Sequence, residues 1–199
     1  GTLVNNIEVV ANQDDGIEFF GGTVDASNLL VWAQDDDAID FDQAYSGTVD
    51  NVVIHLGDGS DHAFEIDGPE GSLNGSFNLL NASIFGNGVT NNGEYADYRS
   101  NAMGLTNNIF ASGFPAGKDV ELDNDGVATN YNSGALTFGA WEIVLPSGVT
   151  DVTSIFVNKA DNVTVTGFGD NATAVSTQGS IGANTSAFSW TYSNAKAGL

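Results

Sequence analysis

The chain has 199 residues, with 26 Asp and Glu against four Lys and Arg, a formal charge of −22, 41% apolar residues and no cysteine. That balance excludes nucleic acid and anionic membrane surfaces as partners and disfavours polyanionic substrates, because each is repelled at long range. Stability owes nothing to disulfides, and no apolar run approaches the roughly 18 residues of a membrane span, so membrane insertion is not expected.

Between Val4 and Gly68 one pattern is written three times. The copies run from Asn6 to Phe19, from Asn28 to Phe41, and from Asn51 to Gly57, the last resuming at Asp61 to Ile66. A period of about 22 residues marks a repeat architecture. Each copy holds two short apolar runs separated by an acidic turn. The runs are too short for helices, and a whole copy is too long for one strand. The pattern predicts an all-β, right-handed parallel β-helix with rungs of about 22–25 residues, in which each rung bonds only to its neighbours.

After each acidic turn the residues alternate. Ile17 and Phe19, Ile39 and Phe41, and Phe64 and Ile66 face the core, which stacks Glu18, Asp40 and Glu65 in a column on the other side. Neighbouring carboxylates about 4.8 Å apart repel by roughly 1 kcal/mol in water and about 3.5 kcal/mol at an effective dielectric of 20. Bridging cations, retained protons or salt screening must offset this. Ca²⁺, a hard ion with several oxygen ligands, suits the column. Its expected ligands are Glu18, Asp40 and Glu65, with Asp35 from the densest acidic turn and, further on, Asp123 and Asp125.

In chain order, residues 1–22, 23–46 and 47–68 form three rungs. A single domain is expected over 1–199, with clear rungs to residue 126 and irregular rungs plus a C-terminal cap over 127–199. Phe77–Phe85 and Ala102–Phe110 make two more rungs, with Asn81 and Asn107 at inward corners. Gly86–Asn101, containing Tyr95, Tyr98 and Arg99, is expected as a polar loop with binding potential. Residues 117–126 alternate again, with Val120 and Leu122 inward. Glu121, Asp123, Asp125 and Gly126 resemble the first half of an EF-hand loop. Asn132 stands where its bidentate Glu belongs and no flanking helices are expected, which leaves only a looser Ca²⁺ site. Leu136–Leu145, Val149–Val157 and Asn162–Phe168 are expected as strands and Phe188–Tyr192 as an edge strand or cap, with no helix longer than a turn or two. Phe20 and Trp32 are placed facing outward, and His55 within a strand. Gly1 in place of an initiator Met, followed almost at once by a strand, predicts a mature chain or a fragment of a longer one. Exposed solenoid ends then offer a route to self-association.

The rung Asn12 to Val24, followed by Asp35 to Gln43, resembles secreted bacterial parallel β-helix proteins of the pectate-lyase-like superfamily, many of them cell-surface proteins or lipoproteins. This resemblance implies the fold and an extracellular or bacterial cell-surface location. A second resemblance is to polygalacturonase-type inverting glycoside hydrolases. It rests on Asp15-Gly16, then Asp36-Asp37 before Ile39, then His62, then Arg99, in the family's order. It implies Asp36 as general acid, Asp15 and Asp37 as base, and His62 tuning their protonation. His62 lacks the family's flanking glycines, and the Lys of the last motif is absent. Two readings follow. One is a non-catalytic extracellular module, adhesive or filament-forming, that binds Ca²⁺ and a polysaccharide or other cell-surface component. The alternative is an inverting hydrolase of a neutral or weakly charged polysaccharide.

Overall fold

The computed structural model describes residues 1–88 and 93–197. The repeats fold into two parallel sheets. One contains β1 (Leu3–Val10), β3 (Asp25–Trp32), β5 (Thr48–His55), β7 (Phe77–Phe85), β9 (Gly104–Ser112), β12 (Trp141–Val144) and β14 (Ala172–Val175) in that order, with β11 (Leu136–Phe138) also on β9. The other runs β2 (Ile17–Phe20), β4 (Ile39–Asp42), β6 (His62–Asp67), β8 (Glu94–Arg99), β10 (Val120–Leu122) and β13 (Phe156–Asn158). Successive strands of the chain alternate between the sheets through the clear rungs, as a right-handed parallel β-helix requires.

The long strands bend where each copy of the repeat begins. Asn6, Asn28, Asn51, Asn81 and Asn108 take φ values of 59°, 54°, 60°, 55° and 59°. Asn tolerates this left-handed conformation better than other side-chain-bearing residues. The amides also bond from rung to rung: Asn28 Nδ2 donates to Asn5 Oδ1 at 2.9 Å, Asn51 to Asn28 at 2.6 Å, and Asn108 to Asn81 at 3.0 Å. Asn107 is not the corner residue. Asn108 holds the bend, while Asn107 Oδ1 accepts the Ala140 main-chain N–H at 2.9 Å.

Inside, apolar columns stack in register. Leu29, Val52, Ala82 and Ile109 form one, and Ile39, Phe64, Ala96 and Val120 another, all fully buried. Aromatic rings extend this core. Phe41 lies between Phe19 and Phe77, Phe77 stacks on Tyr98, and Tyr98 meets Phe138 edge-on at 4.8 Å.

Several expected elements are corrected. Gly86–Asn101 is not a loop, because Glu94–Arg99 is β8 and Tyr95 and Tyr98 are fully buried core residues; residues 89–92 lie outside the described part. A nine-residue helix, α1 (Asp125–Ser133), follows β10: Asn124 caps it by accepting from the Gly126 and Val127 N–H groups, and Gly134 ends it at φ 78°. Asn162–Phe168 is no strand but an irregular segment whose Val165 and Phe168 pack on the core. Leu136–Leu145 is broken at Gly139-Ala140, and in Val149–Val157 only the end is strand, preceded by a short 3₁₀ turn at Val152–Ile155.

The tail is not an edge strand. After β14 it doubles back along the outer surface of the first sheet as a strap. Gly179 N–H donates to Glu142 at 2.7 Å, Ala183 N–H to Ser83 Oγ at 2.9 Å and Asn184 N–H to Asn51 Oδ1 at 2.7 Å. The Tyr192 and Ser193 N–H groups, opening the short α2 (Tyr192–Ala197), donate to the two oxygens of Glu8 at 2.9 and 2.8 Å. Phe188 is fully buried under the strap against Leu30 and Val53, with Trp32 and Phe85 alongside. Trp32 thus faces outward as expected but lies beneath the tail, whereas Phe20 is 68% exposed.

Candidate functional site

The second sheet carries the acidic column, and strict parallel pairing sets it. Glu18 pairs with Asp40, Asp40 with Glu65, Glu65 with Asp97 and Asp97 with Glu121. The inward neighbours on each strand are core residues, so alternation turns every one of these carboxylates to the outer face. Asp40, Glu65, Asp97 and Glu121 are nonetheless at least nine-tenths buried, because flanking acidic residues crowd them. On one side lie Asp15, Asp37, His62, Glu94 and Asp119. On the other are Asp42, Asp67, Arg99 and Asp123.

Three of the molecule's four Lys and Arg side chains lie on this face. Arg99 pairs with Glu65, reaches Asp67 at 2.9 Å and lies 3.8 Å from Asp97. Lys118 is 3.5 Å from Glu94, and Lys159 pairs with Glu121 and lies 3.7 Å from Asp119. These cations serve the later rungs. None reaches Asp15, Glu18 or Asp40. Among the described residues, the buried oxygens Asp40 Oδ1, Asp97 Oδ1 and Asp119 Oδ1 have no hydrogen-bond partner.

Protonation follows from this crowding. Burial pushes Asp40 up to about 8, helped by the charges of Asp15, Glu18 and Asp37. Burial likewise raises Asp97 to about 7 against the opposing pull of His62. Asp15, Glu18, Asp36 and Glu94 are raised for the same first reason, with neighbouring carboxylates adding to it. The strand residue His55 sits on the other sheet, stacked on Phe85 at 4.5 Å, and burial lowers it to about 4.

The residues implied by the hydrolase resemblance come together. Asp15 Oδ1 accepts the Asp37 N–H at 3.1 Å, and Asp37 Oδ1 accepts both the main-chain N–H of His62 at 2.8 Å and its ring Nδ1 at 2.7 Å. Oxygens of Asp14, Asp15 and Asp36 lie within 4.8 Å of one another, as do those of Asp36, Asp37 and Asp61. Arg99 sits two rungs further along the face than Asp37, held by Glu65 and Asp67.

The expected Ca²⁺ ligands divide. Glu18 and Asp40 form a group with Asp15, and Glu65 with Asp37 and His62, each group holding its ligand atoms within 4.8 Å; Glu94, Asp119 and Glu121 form a third. Asp35 is an exposed turn residue and Asp123 an exposed one at the far edge. Asp125 is engaged elsewhere: its two oxygens accept the main-chain and side-chain N–H groups of Asn162, both at 2.8 Å. Sequence reading missed Asp97, Glu94, Glu121 and Asp119 as members of the face. The signal was present, since Ala96 and Tyr98, like Val120 and Leu122, are inward residues flanking a carboxylate.

Among the described residues no helix is long and apolar enough to cross a membrane. Comparison with curated proteins and with solved structures returns no match. The family model described as a pectate-lyase-like β-helix domain matches residues 1–194. Its parallel rungs stack as that fold requires and the match spans nearly the whole chain, so this protein belongs to the pectate-lyase-like β-helix domain family.

Proposed function

We propose that the chain is a non-catalytic extracellular module whose acidic face is bridged by divalent cations, Ca²⁺ foremost, and engages a polysaccharide or other cell-surface component through them. One observation carries this reading. Five carboxylates stack on consecutive rungs, and two of them, Asp40 and Asp97, bury an oxygen with no partner. A buried, unpartnered carboxylate oxygen must keep a proton or meet a cation. Around Asp15, Glu18 and Asp40 no side-chain cation is at hand, and the exposed carboxylates of Glu18 and Asp36 leave an ion's outer positions open to sugar hydroxyls.

The test is thermal unfolding in excess EDTA and with added Ca²⁺ at fixed ionic strength. Occupancy at 100 times Kd adds about 2.7 kcal/mol to stability. No shift with Ca²⁺ overturns the reading.

The hydrolase has one observation in its favour, the convergence of Asp15, Asp36 and the Asp37–His62 pair. Against it, His62 lacks the flanking glycines of that family's motif, the Lys of the last motif is absent, and Arg99 is held two rungs from Asp37 by Glu65 and Asp67. Hydrolysis of neutral polysaccharides that is lost in Asp36→Asn would favour the enzyme instead.

A further inference from the structure

The geometry points to a mixed nitrogen–oxygen site for a borderline divalent metal of the Zn²⁺ type, held by Asp37, His62 and Glu65. It rests on the reading of this face as cation-binding and names a second class of ion for it. His62 Nδ1 lies 2.7 Å from Asp37 Oδ1 and 3.8 Å from Glu65 Oε2. Metal–ligand bonds of about 2.0–2.2 Å at tetrahedral angles put ligand atoms about 3.3–3.5 Å apart, between those two distances. Asp37 and Glu65 are 4% and 8% exposed, so their charges cannot be left to bulk water.

The surroundings pre-orient both carboxylates. The His62 main-chain N–H donates to Asp37 Oδ1 at 2.8 Å, and Arg99 holds Glu65 through its other oxygen. Such outer contacts fix ligand direction. A separate observation points to an ion. Asp97, next to Glu65 on the following rung and only 5% exposed, keeps Oδ1 without a partner, and its charge acts on His62. In metal-free protein a proton on Nδ1 bridges His62 to Asp37. The metal takes its place by accepting the Nδ1 lone pair, and the displaced proton leaves to solvent. An imidazole ligand favours Zn²⁺ or Co²⁺ over Ca²⁺, which prefers an all-oxygen shell.

The experiment titrates Zn²⁺, Co²⁺ and Ca²⁺ separately into the EDTA-stripped, desalted full chain, as wild type, His62→Gln and Asp97→Asn. Readouts are thermal unfolding, visible absorption with Co²⁺, and the ring signals of the two histidines by NMR. Expected results are a Zn²⁺-induced shift of the His62 signals and not those of His55, a tetrahedral Co²⁺ spectrum, a loss of Zn²⁺ affinity above 100-fold in His62→Gln, and a loss of about 10–100-fold in Asp97→Asn. Ca²⁺ stabilisation should persist in His62→Gln, which also shows that this variant folds. If Zn²⁺ stabilises wild type and His62→Gln equally, or leaves the His62 signals unmoved while Ca²⁺ still stabilises, the mixed site is wrong and the cation-binding face stands. If no divalent ion stabilises the wild type, both fail.

Discussion

Asn51 bends its strand at φ 60°, donates to Asn28 and accepts the Asn184 N–H of the strap. Asn51→Ala places a Cβ-bearing residue without an amide in left-handed backbone and leaves two partners unmet. We expect a loss of about 2–3 kcal/mol in urea unfolding. Asn51→Gly keeps the bend and loses only the bonds, so roughly half that cost is expected. Asp40 responds in the opposite sense. Asp40→Asn mimics the protonated carboxyl in a site where burial and four neighbouring carboxylates oppose charge. It should raise metal-free stability at pH 8 by about 1–3 kcal/mol and shrink the Ca²⁺-induced rise in Tm. A variant less stable than wild type in EDTA at that pH would contradict this account of the column.

Among the elements, the strap distinguishes this solenoid from a stack of independent rungs. Rung stability is ordinarily a sum of nearest-neighbour terms, so an end rung frays on its own. Here Glu8 on β1 is tied to Tyr192 and Ser193, and Phe188 fills a pocket between Leu30 and Val53. Phe188→Ala should cost about 3–5 kcal/mol. Truncation after Thr177 should remove hydrogen-exchange protection from β1 first, broaden the unfolding transition and expose an apolar stripe to a fluorescent hydrophobic dye. The rungs to β6 were legible because the copies of the repeat are nearly collinear and alternate cleanly. β8 was not: Gly, Asn and Thr before it masked the alternation of Glu94 to Arg99. The helix α1 carried its own signals, Asn124 at one end and Gly134 at the other, but the run between them is short and weakly apolar, so local capping rather than an apolar stripe defines it. The strap's small polar residues have no period at all, and only tertiary contact defines its path.

For the whole molecule, charge sets the dependence on pH. Asp40 and Asp97 hold their protons to about 8 and about 7 in the folded state and to about 4 when unfolded. The native state therefore binds more protons between those limits. In EDTA, stability should be greatest, as far as these groups decide it, near pH 4 and decline as pH rises to about 8, and saturating divalent ion should flatten that decline. A metal-free stability that instead rose steadily from pH 5 to pH 8 would show that these two carboxylates ionise without cost. The acidic column was legible through Glu18, Asp40 and Glu65, because register follows from the repeat; its burial was not, because crowding by flanking residues is a property of the folded surface. The strap also has a consequence in time. Residues 178–193 follow every rung in the chain, so during synthesis the rungs can stack in order of emergence while Glu8 waits for its partners. β1 is therefore locked only after residues 178–193 have been made, and protease resistance at β1 should appear only once the strap is present.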